Sequence, residues 1–430
     1  MKNFIFISPN FPTNYWMFCK ELKNNGLNVL GIGDQPYDEL SPELKDSLNE
    51  YYKVDSLENY DSVYRAAAFF IHKYGRIDWL ESNNEYWLEQ NAKLRSDFNI
   101  KSGFQIEDIP RIKFKSKMKE YYKKADIPAA RYHLADTLKN SKAFAKEVGY
   151  PIIAKPDNGV GAADTHRISS DKELIDFFET KMPDVTYILE EYIDAAVNSY
   201  DAIIDSNGEP IFETGNVTPN SIMDIVNTAD NTIYYIVKDL PEDTRKAGRA
   251  AVKSFGVKSR FIHFEFFRLL SDHKGMGKKG DITALEVNMR PCGGFTPDMI
   301  NFGHSTNVYK IWADMIAFDK STVESGDDKF CAYAGLRDGK NFVMSHVDIM
   351  EKYGENMRMV ERIPDALSGA MGNQMYVAVF DTEKEMNDFY DHVLESKKPA
   401  GPKKSAKPMK RAEKKPAKRT AKKSTAKRTV

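Results

Sequence analysis

Residues 281–294, DITALEVNMRPCGG, carry Glu286, Asn288 and Arg290 at alternate positions of an otherwise apolar run. A period of two marks a strand with two unlike faces, so Leu285, Val287 and Met289 are expected to pack on one side while the three polar groups share the other. A carboxylate, a carboxamide and a guanidinium on one face of a buried strand need partners, either among themselves or in a ligand. The chain must therefore fold so that one strand closes a core on one face and lines a polar site on the other.

The sequence before this strand changes character once. FIFIS and NVLGIG read as strands around a helix near Tyr15 to Asn24. Further helices are expected at Tyr60 to Tyr74 and Glu85 to Phe98, with RIDWLES as a strand between them. Strands alternating with helices give a small parallel sheet. No GxGxxG follows the first strand, where SPNFPTN stands instead, so a dinucleotide fingerprint is absent and hydride transfer is disfavoured. A basic helix, FKSKMKEYYKKADIP, comes next, and after it the chain turns strongly β: YPIIAKP, THRIS, TYILEEYI, SYDAIID, PIFETGN, RFIHFEFFRLL and DITALEVN, interrupted by helices at Asp171 to Lys181 and Glu242 to Phe255. That order gives antiparallel sheets with helices on one side. A last apolar strand, MYVAVF, and a helix near Glu383 to Glu395 indicate a small C-terminal subdomain.

Three stretches carry candidate chemistry. IIAKPDNGVGAADT puts Lys155 at a strand end before Gly159, Gly161, Ala162 and Ala163, a loop whose backbone amides could approach an oligophosphate while the lysine supplies a point charge. Alone, this is no stronger than a glycine-containing hairpin. YILEEYI ends in adjacent acids, Glu190 and Glu191, which alone read as an exposed strand end. FIHFEFFRLL has Glu265 as its only acid, and the glycine- and lysine-rich turn DHKGMGKKGD joins it to the strand of Glu286 and Asn288. A hairpin there brings Glu265 beside Glu286 and Asn288. Crowded carboxylates in an apolar sheet repel one another unless a cation lies between them, and hard oxygen ligands suit Mg²⁺. Arg290 can present its planar fork to phosphate or carboxylate oxygens. A buried Glu–Arg pair, the simpler reading, leaves Glu265 and Asn288 without a task.

In order and spacing, KKADIP, YPIIAKPDNGVGA, YILEEYI, a late acidic strand and LEVNMRPCGG resemble the ATP-grasp superfamily, and more narrowly its carboxylate–amine ligases. The likeness covers roughly residues 1 to 395, with the motifs between 115 and 294. It implies an α/β and α+β multidomain protein. A Rossmann-like pre-ATP-grasp domain would occupy 1–110, an ATP-grasp domain 111–320 with a small nucleotide-clamping subdomain at about 115–190, and an α+β subdomain 321–396. It implies ATP and Mg²⁺ as cofactors, two ions expected and Mn²⁺ acceptable, with small carboxylate and amine substrates of amino-acid or peptide type. A homodimer is compatible with it.

Carried over by position, Lys115 and Lys155 are the phosphate-contacting lysines, with Lys117 close enough to Lys115 to compete. Glu190 faces the adenine amino group, and the backbones of Glu191 and Ile193 meet the adenine edge. Glu265, Glu286 and Asn288 match the metal ligands, and Arg290 matches the arginine that steadies the phosphoryl group or acyl phosphate. Gly293 and Gly294 permit a turn close to the substrate. The chain departs from the pattern in DAAVNSYD, where Asn198 stands in as the ribose partner, and at Ala162 and Ala163, where a serine is frequent. Arg290 and Lys155 are the expected catalytic pair. No Cys/His or Ser/His/Asp arrangement is legible. Cys292 is expected to line the substrate pocket or pack, and His263 to be a hydrogen-bonded sheet histidine.

Charge separates the last 34 residues from the rest. From Lys397 onward they hold 15 of the 62 basic residues and one of the 63 acidic ones, so a formal charge of -1 divides into -15 for the body and +14 for the tail. Lys/Ala/Pro/Thr low complexity makes the tail a disordered extension, open to nucleic acid or another polyanion, or simply solvated. Three scattered cysteines and the lack of a signal-like or membrane-length apolar run point to a reducing, cytoplasmic setting without a membrane role. Two rivals stay open: a superfamily enzyme with another acceptor, carboxylase-like although no biotin-carrier motif is present, and a non-catalytic nucleotide-binding protein that works through its tail.

Overall fold

The computed structural model describes residues 1–159, 164–219 and 230–397. Gly161, Ala162 and Ala163, and all of the basic tail after Lys397, lie outside the described residues.

The N-terminal region is a four-stranded parallel sheet of β1 (Asn3–Ile7), β2 (Asn28–Gly33), β3 (Glu50–Lys53) and β4 (Trp79–Glu81), in the order β3-β2-β1-β4. β1 is buried along its whole length, as expected of a parallel strand covered on both faces. The C-terminal ends of β1 and β4 deliver the turns that hold Asn14, Tyr15 and the run from Ser82 to Glu85.

The second unit is a four-stranded antiparallel sheet of β5 (Tyr132–Leu134), β6 (Ile152–Pro156), β7 (His166–Ile168) and β8 (Tyr187–Glu191), in the order β5-β8-β6-β7. Its core is Phe144, Ile152, Leu174, Phe177 and Leu189, contributed by two helices and the sheet. Each such residue, fully buried, stabilises by about 1.5–3 kcal/mol before the entropy of ordering is set against it. The helix Lys115–Lys124, expected within this unit, belongs elsewhere: Met118 and Tyr122 pack with Tyr200, Phe255 and Phe264 in the core of the large sheet. Asp157, just past β6, ties the two together. It accepts hydrogen bonds from the Ser116 amide and hydroxyl, both at 2.7 Å, and its carbonyl accepts the Lys115 amide at 2.8 Å.

The remaining strands make one nine-stranded sheet: β9 (Ala195–Ile204), β10 (Pro210–Thr214), β11 (Asn216–Thr218), β12 (Thr232–Ile236), β13 (Arg260–Leu269), β14 (Ile282–Asn288), β15 (Phe330–Leu336), β16 (Met357–Arg362) and β17 (Gln374–Phe380). Its order is β14-β13-β9-β11-β12-β15-β17-β16, with β10 also paired to β9. The boundary expected at 321 is therefore not a break in the sheet, because β12 pairs antiparallel with β15 over five residues and carries the ladder into the C-terminal strands.

β13 and β14 form the expected hairpin, with one irregularity. Glu265 pairs with Glu286 and Phe266 with Ala284, leaving Leu285 as a bulge. The bulge shifts the alternation by one residue, so Ala284, Val287 and Met289 enter the core and Leu285 stays half-exposed, contrary to the simple two-face reading of this strand.

Candidate active site

β14 is an edge strand, so its polar face can be reached from the side. The helix Lys115–Lys124 lies along that edge, and residues four apart on a helix point the same way. Lys115 and Lys119 use this spacing. The Lys115 ammonium is 3.2 Å from Glu286 Oε1 and donates to the Gly159 carbonyl at 3.0 Å, while Lys119 is paired with Glu190. Lys117, two residues from Lys115, is exposed on the opposite side. Sequence reading missed Lys119, although the four-residue period was the signal that singles it out.

Glu190 is held from two directions. Lys155 on β6 reaches its Oε2 at 2.6 Å, and Lys119 takes the other oxygen. Burial raises the carboxyl pKa, but the two ammonium charges outweigh it and hold Glu190 at about 2. Lys155 is buried, which lowers its pKa; the charges of Glu190 and Glu286 more than reverse that and the net shift is upward. Glu191 turns the other way. It receives the Arg131 guanidinium at 2.6 and 2.8 Å and the Arg131 amide at 2.7 Å, and its own amide donates to the Arg131 carbonyl at 3.1 Å. Ile193 is buried beside Ala130 and Leu269.

On the sheet, Glu265 stands directly opposite Glu286, and His263 opposite Asn288. Glu265 accepts from or is paired with His263 Nε2 at 3.1 Å, and the Asn288 carboxamide oxygen lies 3.4 Å from Arg290. The strand register puts two carboxylates and a carboxamide on one face, and this all-oxygen donor set fits a hard divalent cation such as Mg²⁺.

Asn198 does not join this group. On β9, Ser199 pairs with Glu265 and Asp201 with His263, so Asn198 is on the opposite face, paired with Phe266, with its oxygen 3.5 Å from Arg268. One step in register is enough to turn a side chain to the other side of a sheet. The site-facing neighbour at this level is Val197.

The glycines divide. The Gly159 carbonyl is bound to Lys115, and a Cβ there would meet Pro156 at 2.9 Å. Gly293 is exposed with open space around it. Gly294 has φ +62, a conformation in which a side chain is strained, a Cβ would meet Met371 at 2.8 Å, and its carbonyl lies 3.3 Å from the Asn14 amide nitrogen.

Residues from the N-terminal sheet complete the wall and were not foreseen. Arg290 Nε is 3.7 Å from Glu85 Oε2, and that buried oxygen has no hydrogen-bond partner among the described residues. Burial raises the Glu85 pKa, with Arg290 opposing the shift. Asn14 bridges Asp298 at 2.8 Å and the Tyr309 hydroxyl at 3.2 Å. Nothing local in SNNEYW or SPNFPTN marks these residues, since chain topology alone brings them to residues more than 200 positions away.

A second convergence corrects the expectation that no Cys/His arrangement exists. His263 Nδ1 lies 2.7 Å from Asp201 Oδ1, and Cys292 joins them, the ligand atoms of all three lying within 4.8 Å of one another. Burial lowers the His263 pKa, but the neighbouring Cys292 and Asp201 outweigh it and the net shift is well upward.

The family described as "Carbamoyl-phosphate synthase L chain, ATP binding domain" matches residues 111–209. The carbamoyl phosphate synthase large chain of Methanothermobacter thermautotrophicus is 23% identical over 145 residues, 33% of this chain and 13% of that protein. The L-arginine-specific L-amino acid ligase of Bacillus subtilis is 28% identical over 181 residues, 42% of this chain and 43% of that one. The chain thus spans less than half the length of the curated relatives it matches. Among solved structures, the L-amino acid ligase of Bacillus licheniformis superposes with a TM-score of 0.66 at 15% identity, covering 91% of this chain and 98% of that chain. Among the described residues, no helix is long and apolar enough to cross a membrane.

Proposed function

We infer that the chain is an ATP-grasp enzyme acting as an ATP-dependent carboxylate–amine ligase, a reading supported by its fold and motif order. The observation that carries this reading is the direct opposition of Glu265 and Glu286 on a cleft floor flanked by Lys115, Lys155 and Arg290. Opposed acids beside fixed cations make a site for a metal–oligophosphate, in which catalysis rests on positioning and charge neutralisation.

In this reading the γ-phosphoryl group passes from ATP to a substrate carboxylate, giving ADP and an acyl phosphate. An amine then attacks the acyl carbon, phosphate leaves, and an amide is formed. Mg²⁺, two ions in the expected complement, would be held by Glu265, Glu286 and Asn288 and would supply charge neutralisation at the phosphate oxygens. Lys115 and Lys155 take the oligophosphate, and Arg290 takes the acyl phosphate. The Glu191 amide is engaged by Arg131, so an adenine contact at that residue uses its carbonyl. Glu85, with a buried oxygen lacking a hydrogen-bond partner beside Arg290, supports a substrate that brings its own ammonium group, as an amino acid does.

The test is ADP release from Mg-ATP with amino acids and other carboxylates offered singly and with amines, with product masses read alongside. A product equal to acid plus amine less water is expected. ATP binding without consumption of any acid and amine combination overturns the ligase reading.

A further inference from the structure

We propose that Asp201, His263 and Cys292 form a site for a thiophilic divalent metal ion of the zinc class, distinct in donor set from the all-oxygen cluster beside it. The three ligands come from β9, β13 and the turn after β14, so neighbouring strands of one sheet fix two of them. Asp201 and His263 are directly opposed in the ladder, and the hydrogen bond between them keeps both donors together. The ligand atoms of the trio lie within 4.8 Å of one another, a span that small side-chain movements close onto one ion with bonds of about 2.0–2.3 Å.

Donor chemistry separates this trio from Glu265, Glu286 and Asn288. Thiolate and imidazole select zinc-like ions, whereas carboxylate and carboxamide oxygens suit magnesium. Surrounding groups hold the ligands as an outer shell does. Ser199 donates to Asp201, its hydroxyl oxygen also accepting the Asn216 amide at 2.8 Å, and the Asn216 carboxamide nitrogen is 3.4 Å from Asp201 and 3.9 Å from Cys292 Sγ. Asp201 and His263 are buried while Cys292 is half-buried, so the fourth coordination position opens toward the cleft.

Two contacts link the trio to the reaction proposed above. His263 Nε2 is 3.1 Å from Glu265, and Cys292 follows Arg290 by two residues. An ion held here adds positive charge beside Glu265, so it inhibits turnover. Only this inhibition rests on the ligase reading; metal binding does not.

The experiment uses the full chain, stripped with a chelator and titrated with Co²⁺ in a large excess of Mg²⁺. A thiolate-to-cobalt charge-transfer band that saturates at one equivalent and is displaced by Zn²⁺ is expected. The band should be absent in Cys292→Ser, and Co²⁺ should bind about 10-fold or more weakly in Asp201→Asn. In the unaltered chain, Zn²⁺ should slow alkylation of Cys292 by iodoacetamide, read by peptide mass, a measurement that needs no variant to fold. Absence of a saturable band, a band unchanged in Cys292→Ser, or Cys292 alkylation at the same rate with and without Zn²⁺ overturns the proposal. A chain that shows the band but consumes ATP with no acid and amine keeps the metal site and loses the ligase reading.

Discussion

Glu265 and Glu286 face each other across the β13–β14 ladder at the point where Leu285 bulges out, and Lys115 reaches Glu286 from a helix that packs beneath the same sheet. The bulge matters to the pairing. Without it, Phe266 would oppose Leu285, and Ala284 would turn to the polar face.

Glu286→Gln removes one of two opposed charges while preserving shape. Turnover should fall about 100-fold or more, the scale of losing one group that stabilises transition-state charge. Thermal stability should change little, because relief of the repulsion with Glu265 is offset by loss of the Lys115 ion pair. Steady-state ADP release alongside a melting curve checks both, and full activity would remove Glu286 from the metal site.

Lys119 and Lys117 make a paired test of helix geometry. Lys119→Ala should raise the KM for ATP several-fold, since Glu190 loses one of its two cations, whereas Lys117→Ala, on the exposed side, should leave ATP kinetics near those of the unaltered chain. Equal effects of the two substitutions would show that the helix does not present Lys119 to the nucleotide.

The Glu190 carboxyl sets an acid limit. Its folded pKa, about 2, lies below the ordinary carboxyl value of 4.5, so the folded state stays ionised while the unfolded chain takes up a proton. The stability it contributes is complete above pH 4.5 and is lost as pH falls from there toward 2. Glu190→Gln leaves Lys119 and Lys155 buried without their partner, a loss of about 3–5 kcal/mol. Denaturant unfolding from pH 6 down to pH 3 should show a shallower pH dependence in the variant as well as the lower stability.

Glu85→Gln should raise the KM for the ammonium-bearing substrate about 10-fold or more, with the KM for ATP little changed. Substrate analogues lacking the amino group should not distinguish the variant from the parent. If both substrates weaken equally, Glu85 acts by holding Arg290 rather than by recognising an amine.

Much of this site was legible because strand alternation and helix periodicity act locally. Glu286, Asn288 and Arg290 share a face as expected, and the turn 271–281 does pair Glu265 with Glu286. Asn198 failed for the same local reason, since one residue of slippage along β9 turns the side chain toward Phe266 and Arg268. Glu85, Asn14 and Asp298 were not readable, because each is ordinary in its own segment and acquires meaning only when the parallel sheet is laid against the large one. The Cys292–His263–Asp201 convergence was hidden likewise: the three are spread over 92 positions and joined only by the register of two strand pairs. The break expected at 321 reflected a loop in sequence, which cannot reveal that β15 resumes the sheet beside β12.

The Asp157–Ser116 contact has a mechanical consequence. Asp157 caps the helix that carries Lys115, and that helix is embedded in the core of the large sheet through Met118 and Tyr122. The four-stranded unit is therefore tied to the large sheet just past β6, with the Lys119–Glu190 and Lys115–Gly159 contacts beside that tie. Lys115 thus belongs to the body of the large sheet, whereas Lys155 is carried by the four-stranded unit, so any ligand that both lysines touch joins the two.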